Sequence, residues 1–392
     1  MTYLERLLEG VKVEWEPLGE SCKVVRGKRL TKKELSENGK FPVFHGGLIP
    51  LGLYDKYNRK ANQTMIINTG SIGEVVWSGV DFWSSDGTFV VETNETINDK
   101  FLYYFLKTQE QYLKTQKREG GVPTIDRIVV EKLQIPIPPL SVQKEIVRIL
   151  DTFTELTAEL TAELTAELTA RKQQYNYYIN ELFRFNEGEF EWKTLGEIGA
   201  FQRGKRFVRN DIIPEGIPCI HYGEMYTHYG VWANESKSFL SEELVENKRL
   251  RFAEKCDVVI VAAGETVEDI GMGTAWLGKE NVVIHDACFL YRSPLNPKYV
   301  AYFTRSNIFH DQIKKHISSG KISAINAKGL SSAVIPVPSP EEQKRIVSIL
   351  DKFDTLTTSI SEGLPKEIAL RQKHYEYYRD MLLSFPKNNL KS

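Results

Sequence analysis

Two octapeptides come close to a phosphate-binding loop. "GAFQRGKR", Gly199 to Arg206, and "GTAWLGKE", Gly273 to Glu280, share the spacing Gly-x-x-x-x-Gly-Lys, in which backbone amides cradle phosphates and the lysine reaches the outer ones. The following residue must carry a hydroxyl to hold magnesium. Here it is Arg206 or Glu280, so no nucleotide site follows. "LNPKY", Leu295 to Tyr299, lacks the second proline of the Asn-Pro-Pro-Tyr loop used in amino-group methyl transfer. "GETVEDIGMGTAW" has glycines without the dinucleotide spacing and reads as a tight turn between strands. Cys22, Cys219, Cys256 and Cys288 form no Cys-x-x-Cys pair, which supports neither a zinc site nor a disulfide framework. Nothing in these segments compels an active site.

A different chemistry fits better. Arg-Gly-Lys-Arg occurs twice, at residues 26 to 29 and 203 to 206. Its glycine permits close backbone approach and its cations suit phosphate contacts. Arg26, Lys28, Arg29, Arg203, Lys205 and Arg206 are therefore candidates for nucleic-acid contact, with Lys32 and Lys33 in the same basic stretch. The alternative for such a run is a solvated basic turn. Loops that interleave aromatic and polar residues add Tyr54 and Lys56 in "YDKYNRK" and Tyr222, Tyr226 and His228 in "HYGEMYTHYGVW". These reach base edges or stack on bases, or else pack half-buried on an ordinary surface. The basic, glycine-containing loops "TQKREGGVPTI" and "HISSGKISAI" contribute Lys117, Arg118 and Lys321, with Gly120 matching Gly320. A structural turn and a contact fit those two loops equally.

The elements that carry these residues are written twice. "IPIPPLSVQKEIVRILDTF" from Ile135 matches "IPVPSPEEQKRIVSILDKF" from Ile335 at an offset of 200, and the match continues from Arg171 and Arg371 through paired tyrosines at 175, 177, 178 and 375, 377, 378. The openings match at an offset of 177: "WEPLGESCKVVRGKR" from Trp15 against "WKTLGEIGAFQRGKR" from Trp192, with His45 opposite His221 a little later. The offset grows from 177 to 200, so the second half carries about 23 more residues in its middle. Each half is a module followed by a helical tail. The modules read as α+β, because short β-branched runs such as "TMIINTG", "TFVVE", "DVVIVAAG" and "NVVIH" alternate with turns and with amphipathic stretches.

Ser141 opens the first tail, and a helix from there to Phe185 would cover 45 residues, about 65 Å. Inside it "TELTAELTAELTAELTAR", Thr154 to Arg171, repeats one tetrapeptide of strong helix formers. Ser339, Pro340 and Glu342 give the second tail an N-cap, a first-turn proline and a capping-box glutamate, and "SEGLP" at Ser361 to Pro365 predicts a break. A helix this long needs a partner, most economically the other tail in an antiparallel pair. Ile146, Leu150, Phe153, Leu160, Leu164 and Tyr178 in the first tail, with Ile346, Leu350, Phe353 and Tyr378 in the second, are the candidates for helix pairing or partner docking. The boundaries read 1–140 for the first module, 141–186 for its helix, 187–338 for the second module and 339–392 for the last helical region. Asp151 to Arg171 and Asp351 to Arg371 are equal in length, so the tetrapeptides form a spacer of defined length.

Bulk properties set the outer limits. With 392 residues, 41% hydrophobic, the chain holds two or three domains with cores of their own. Its longest apolar run, Val258 to Ala263, is too short to cross a bilayer. The expected home is the cytoplasm. The net charge of −1 gives no global sign of a nucleic-acid binder, but charge is segregated, with cations crowding residues 23 to 40 and glutamates residues 155 to 170.

The two "IP-I/V-P…Q-K-x-I-V-x-I-L-D-x-F" segments, the Thr-Ala-Glu-Leu repeats before "RKQQYNYY" and the Trp-x-x-Leu-Gly-Glu opening of each module resemble the DNA-specificity subunits of Type I restriction-modification systems, over essentially the whole chain. The resemblance implies two globular target-recognition domains separated by two long helices packed as an antiparallel coiled coil, with an internal pseudo-two-fold repeat. It implies that each domain reads one half of an asymmetric, interrupted site in double-stranded DNA and that the helices dock two modification (methyltransferase) subunits. It implies a non-catalytic chain, with S-adenosylmethionine in the modification subunits and with ATP and Mg in restriction (helicase-nuclease) subunits joined through the methyltransferase core. A self-contained DNA methyltransferase or nuclease, and a coiled-coil adaptor without DNA contact, are the alternative classes.

Overall fold

The structure, a computed structural model, describes residues 3–118, 123–185, 190–318, 320, 322–359 and 362–386. It divides into two compact units, Met1–Glu163 with Ile368–Ser392, and Leu164–Glu367. Each unit therefore combines one module with stretches of both tails.

In the first unit the strand Glu14–Pro17 pairs antiparallel with Gln134–Ile137, setting Trp15 opposite Pro136. The opening and closing motifs of the module are thus two sides of one ribbon, whose edges tolerate prolines because no further strand needs an N–H at those positions. A four-stranded sheet follows in the order Cys22–Arg26, Thr88–Thr93, Gln63–Ile67, Val75–Ser78, beside a smaller sheet of Gly52–Tyr54, Phe41–Phe44 and Trp83–Ser84. The amphipathic stretch after them forms two helices, Asp99–Thr108 and Glu110–Thr115.

The second unit repeats this plan. Glu191–Thr194 pairs with Val334–Val337, again with Trp192 opposite Pro336. A five-stranded sheet runs Ala200–Arg203, Cys288–Arg292, Val258–Val261, Gly273–Trp276, Trp232–Ala233, beside a four-stranded one of Ser238–Leu240, Ile217–Ile220, Val282–Ile284 and Phe252–Ala253. The surplus length of this half lies in its connections. Residues 45–51 of the first module become 221–237 in the second, and 55–62 become 241–257, which hold the helices Glu224–Thr227 and Glu242–Lys248.

The first tail is a helix, Leu140–Glu181, of 42 residues. It starts one residue before the expected Ser141 and stops short of Phe185. After Glu181 the chain turns to bury Phe183 against Tyr299 and Phe303, at ring distances of 5.0 and 5.4 Å. The second tail is broken as predicted, into Pro340–Thr358 and Leu364–Leu382, with Gly363 at φ 85° and Pro365 in the first turn of the restart; Ser361 lies outside the described residues. Ser339 accepts from the Glu342 amide at 3.3 Å. The reciprocal half of the capping box is absent, because the Glu342 carboxylate is held by Arg345 at 2.6 and 2.8 Å.

Within each unit the tails pack on one another. In the first, the Phe153 ring faces Tyr378 at 6.2 Å, and the hydroxyls of Thr154 and Tyr375 lie 3.0 Å apart. Leu160 and Arg371 line the same groove, so residue numbers run oppositely along the two helices and the pair is antiparallel. In the second, Tyr178 stacks on Phe353 at 5.2 Å. Tyr177 and Tyr377 do not join these seams: they are 59% and 64% exposed. Neighbouring helix residues point about 100° apart, so only one of each adjacent pair can face the seam.

Ile146 and Leu150 are fully buried in a core with Phe101 and Phe105, as are Ile346 and Leu350 with Tyr299 and Phe303 in the other unit; Leu164 is buried too, but outside both cores. The core positions fix each helix to its module. The first module's core also takes in Leu382, Leu383 and Phe385, with Phe385 5.9 Å from the Phe101 ring and Trp15 Nε1 donating to the Pro386 carbonyl at 3.1 Å.

Candidate nucleic-acid interface

The duplicated Arg-Gly-Lys-Arg sits at the exit of the first strand of each main sheet. In the first module the Gly27 amide donates to the Thr88 carbonyl at 3.0 Å and the Lys28 amide to that of Ser84 at 2.9 Å. In the second, Gly204 donates to Cys288 at 3.0 Å and Lys205 to Ile284 at 3.3 Å. A side chain at Gly27 would collide with the carbonyl oxygen of Ser85, and one at Gly204 with that of His285. The motif is a glycine because two backbones touch there.

That close approach aims the flanking cations. Arg26 Nε donates to the Asp86 carbonyl at 3.1 Å and Arg203 Nε to the Asp286 carbonyl at 2.7 Å. Each guanidinium is held by its inner nitrogen while the side chain stays exposed. Lys28, Arg29 and Arg206 are exposed; Lys205 is half-buried and donates to the Lys248 carbonyl at 3.3 Å. Next comes a 3₁₀ turn in both halves. Lys32–Glu34 is capped by Thr31, whose amide and hydroxyl reach the Glu34 carboxylate at 2.7 Å, and Arg209–Asp211 is capped by the Val208 amide on Asp211 at 2.9 Å. Those caps hold the Glu34 and Asp211 carboxyls below their usual range, Glu34 through Thr31 and Asp211 through Val208 and then Lys248.

Each of these edges borders a cavity. In the first module it measures about 590 Å³ and is lined by Arg26, Arg29, Lys32, His45, Asp86 and Thr124, among others. In the second it measures about 870 Å³, with Arg206, Arg209, His221, Tyr222, His285 and Asp286 in its wall. The fold thus brings Arg26, Arg29 and Lys32 together in the first module, and Arg206 and Tyr222 together in the second. Arg209, His45, His221 and His285 were missed as site residues. The repeat carried the signal for three of them: Arg209 falls where Lys32 stands, and His45 faces His221. His285 had none, because its counterpart is Ser85.

The second cavity holds an aromatic cluster. His285 lies 4.9 Å from His221, 5.1 Å from Tyr222 and 5.1 Å from Phe207 between ring centroids. Its Nε2 donates to the Phe207 carbonyl at 2.9 Å and its Nδ1 accepts from the Ala287 amide at 3.1 Å, which assigns the neutral tautomer protonated on Nε2. Burial holds both His285 and His221 below the ordinary imidazole value; Asp286, near His285, opposes this without overcoming it. Glu224 is turned inward, accepting from the His221 amide at 3.0 Å and from the Ser238 hydroxyl. In the first module His45 Nδ1 is instead 3.1 Å from the Ser85 hydroxyl and 3.4 Å from Asp86.

The remaining candidates lie elsewhere. Tyr54 packs edge-on to Trp83 at 5.2 Å, Lys56 is exposed beside it, and Lys33 sits exposed in its 3₁₀ turn. Tyr226 turns its hydroxyl to the Ala263 carbonyl at 3.3 Å, and His228 is exposed with its ring 4.9 Å from Tyr229. Lys117 is exposed, while Arg118 pairs with Asp126 at 3.0 Å. Lys321 and Gly120 lie outside the described residues.

The repeated Gln and Asp of the tail motif prove to be fasteners. Gln143 accepts from the Asn98 amide at 2.8 Å and donates to the Pro138 carbonyl at 2.7 Å; Gln343 does the same with Asn296 at 2.9 Å and Pro338 at 2.9 Å. Asp151 takes the Tyr104 hydroxyl at 2.6 Å and Lys100 at 2.9 Å, and Asp351 takes Tyr302 at 2.7 Å and Lys298 at 2.5 Å. Each long helix is thereby locked to the helix that backs its module's sheet. Among the described residues, no group of His, Cys, Asp or Glu is placed to hold a metal ion, and no helix is long and apolar enough to cross a membrane.

Comparison with known proteins matches residues 12–170 and 187–370 to the family described as Type I restriction modification DNA specificity domain. The chain is 37% identical to the Escherichia coli Type I restriction enzyme EcoR124I/EcoR124II specificity subunit, covering 99% of this chain and 98% of that one. It is 34% identical to a putative type I restriction enzyme specificity subunit of Haemophilus influenzae, covering 98% of each. A solved chain from a study of assembly and conformational transition of the type I R-M system superposes with a TM-score of 0.68 at 18% identity, over 95% of this chain and 97% of that one. The HsdS subunit of Thermoanaerobacter tengcongensis gives 0.52 at 18% identity over 95% of each chain. Those two likenesses concern the fold.

Proposed function

This chain belongs to the Type I restriction-modification DNA specificity family, and we propose that it is the non-catalytic subunit that reads a bipartite site in double-stranded DNA for its complex. The observation that carries this is the doubled edge. Two modules present the same backbone-anchored Arg-Gly-Lys-Arg beside loops of different sequence and length. A repeated cationic frame suits the invariant phosphate backbone, and divergent loops suit two different half-sites. The site is therefore asymmetric and interrupted.

In this reading residues 1–140 and 187–338 are the target-recognition domains, and the two tail regions dock two modification subunits. S-adenosylmethionine belongs to those subunits, and ATP and Mg to the restriction subunits that join through them; the assembly works in the cytoplasm. The chain reconstituted with its modification subunits should methylate one interrupted motif, read out by methylation mapping of cells that carry the set. Methylation or cutting by the purified chain alone would sink the proposal.

The Thr-Ala-Glu-Leu repeats set the spacer in this reading. One tetrapeptide more or fewer shifts a helix by about 6 Å and turns it by roughly 40°. Deleting one copy should change the number of unread base pairs between the half-sites and leave both half-sites as they were. A changed base within a half-site would refute the spacer role.

A further inference from the structure

The connection 45–51 of the first module ends in an apolar tip that folding leaves in water. Leu48 is 51% exposed and Ile49 80%, the highest among the large hydrophobic residues described, and Pro50 is exposed as well. Single exposed apolar residues are common and need no explanation. Here three stand in a row on a braced support. The Leu51 amide closes the loop on the Val43 carbonyl at 2.7 Å, and the Ser71 amide donates to the Gly46 carbonyl at 2.8 Å. Gly46 and Gly70 pack backbone to backbone with no room for a side chain on either, and Gly70 adopts φ 93°. The tip is therefore a stiff projection.

What covers it is indicated by its surroundings. His45 and Leu51, the two ends of this loop, line the same cavity as Arg26, Arg29 and Lys32, and Lys28 and Lys33 stand exposed on the same basic run. An apolar protein partner would not call for that rim of cations; a polyanion would. Apolar side chains flanked by cations are the means by which DNA-binding proteins part stacked bases, offsetting the cost of unstacking with contacts that the distorted duplex allows. We propose that Leu48, Ile49 and Pro50 form a wedge that inserts between adjacent base pairs in the half-site read by the first module, with Ile49 as its leading side chain. The inference rests on the reading of the chain as a DNA-recognition subunit. The second module, whose connection 221–237 presents Tyr222 and His228, engages its half-site without the aliphatic wedge.

The test uses the complex of this chain with its modification subunits and duplexes carrying its methylated motif, with 2-aminopurine placed in turn at purines other than the methylated base. Wild-type complex should brighten the fluorophore at one step of one half-site. Ile49→Ser should abolish that signal, weaken site binding about ten-fold and leave the melting temperature unchanged, while Ile49→Leu should keep the signal. Site-preferring binding with no brightened step, or a signal that survives Leu48→Ser/Ile49→Ser, overturns the wedge. So does a double variant that fails to assemble with the modification subunits, since the tip would then be a protein contact. A wild-type complex without site preference overturns the wedge together with the reading beneath it.

Discussion

In both modules the Arg-Gly-Lys-Arg turn hangs from the same pair of backbone carbonyls, yet the loop beside it carries Leu48, Ile49 and Pro50 in one and Tyr222, Tyr226 and His228 in the other. The cavity differs to match, with Ser85 beside His45 in the first and His285 beside His221 in the second. In the proposed function the difference separates two jobs. Holding a duplex requires one geometry, fixed by main-chain hydrogen bonds that tolerate little change. Reading a sequence falls to side chains on the connections between the shared strands, which differ in length and kind.

The largest effect should come from breaking what the modules share. Gln143→Ala strands the Asn98 amide and the Pro138 carbonyl, and Gln343→Ala strands their counterparts; each should lower stability by about 2–4 kcal/mol, seen as matching losses in denaturant melts. Unequal losses would mean the fasteners are not equivalent. Gly27→Ala and Gly204→Ala force a methyl group onto a carbonyl and should cost about 1–3 kcal/mol each, with DNA affinity falling in parallel.

Arg26→Ala or Arg203→Ala should weaken binding across sequences and make the salt dependence shallower by about one unit of slope. A switched preference at a single base with an intact slope would remove these arginines from the shared frame and place them among the reading residues.

The smallest effect sharpens a difference. His221 and His285 are held below the ordinary imidazole value of about 6.5 by burial. The unfolded chain therefore takes up protons that the folded one resists as pH falls through that value, and stability falls with it. His285→Ser copies the first module. Between about pH 7.5 and about pH 5.5 the wild type should lose more thermal stability than this variant; equal losses would show that the buried imidazole is not responsible.

Patterns that repeat or recur along the chain are legible in the sequence. The duplication, the long helix, the break near Gly363 and the basic turn all have local periodicity or matched spacing behind them. Contacts between distant residues are not. Nothing near Gln143 reveals that it takes the amide of Asn98, the residue that caps a helix 45 residues earlier, and Asp151 reads as a solvated charge until Tyr104 and Lys100 arrive beside it. His285 stayed hidden because its partner Phe207 lies 78 positions away and its counterpart is a serine.

The core of the first module is completed by Leu382, Leu383 and Phe385. A ribosome delivers those residues only after it has made the entire second module. Until then the nascent first module carries an open apolar face, a natural substrate for chaperones and proteases. Synthesis that stalls inside the second module leaves the first unfinished. The second module is thus made inside the interval that separates the two parts of the first module's core.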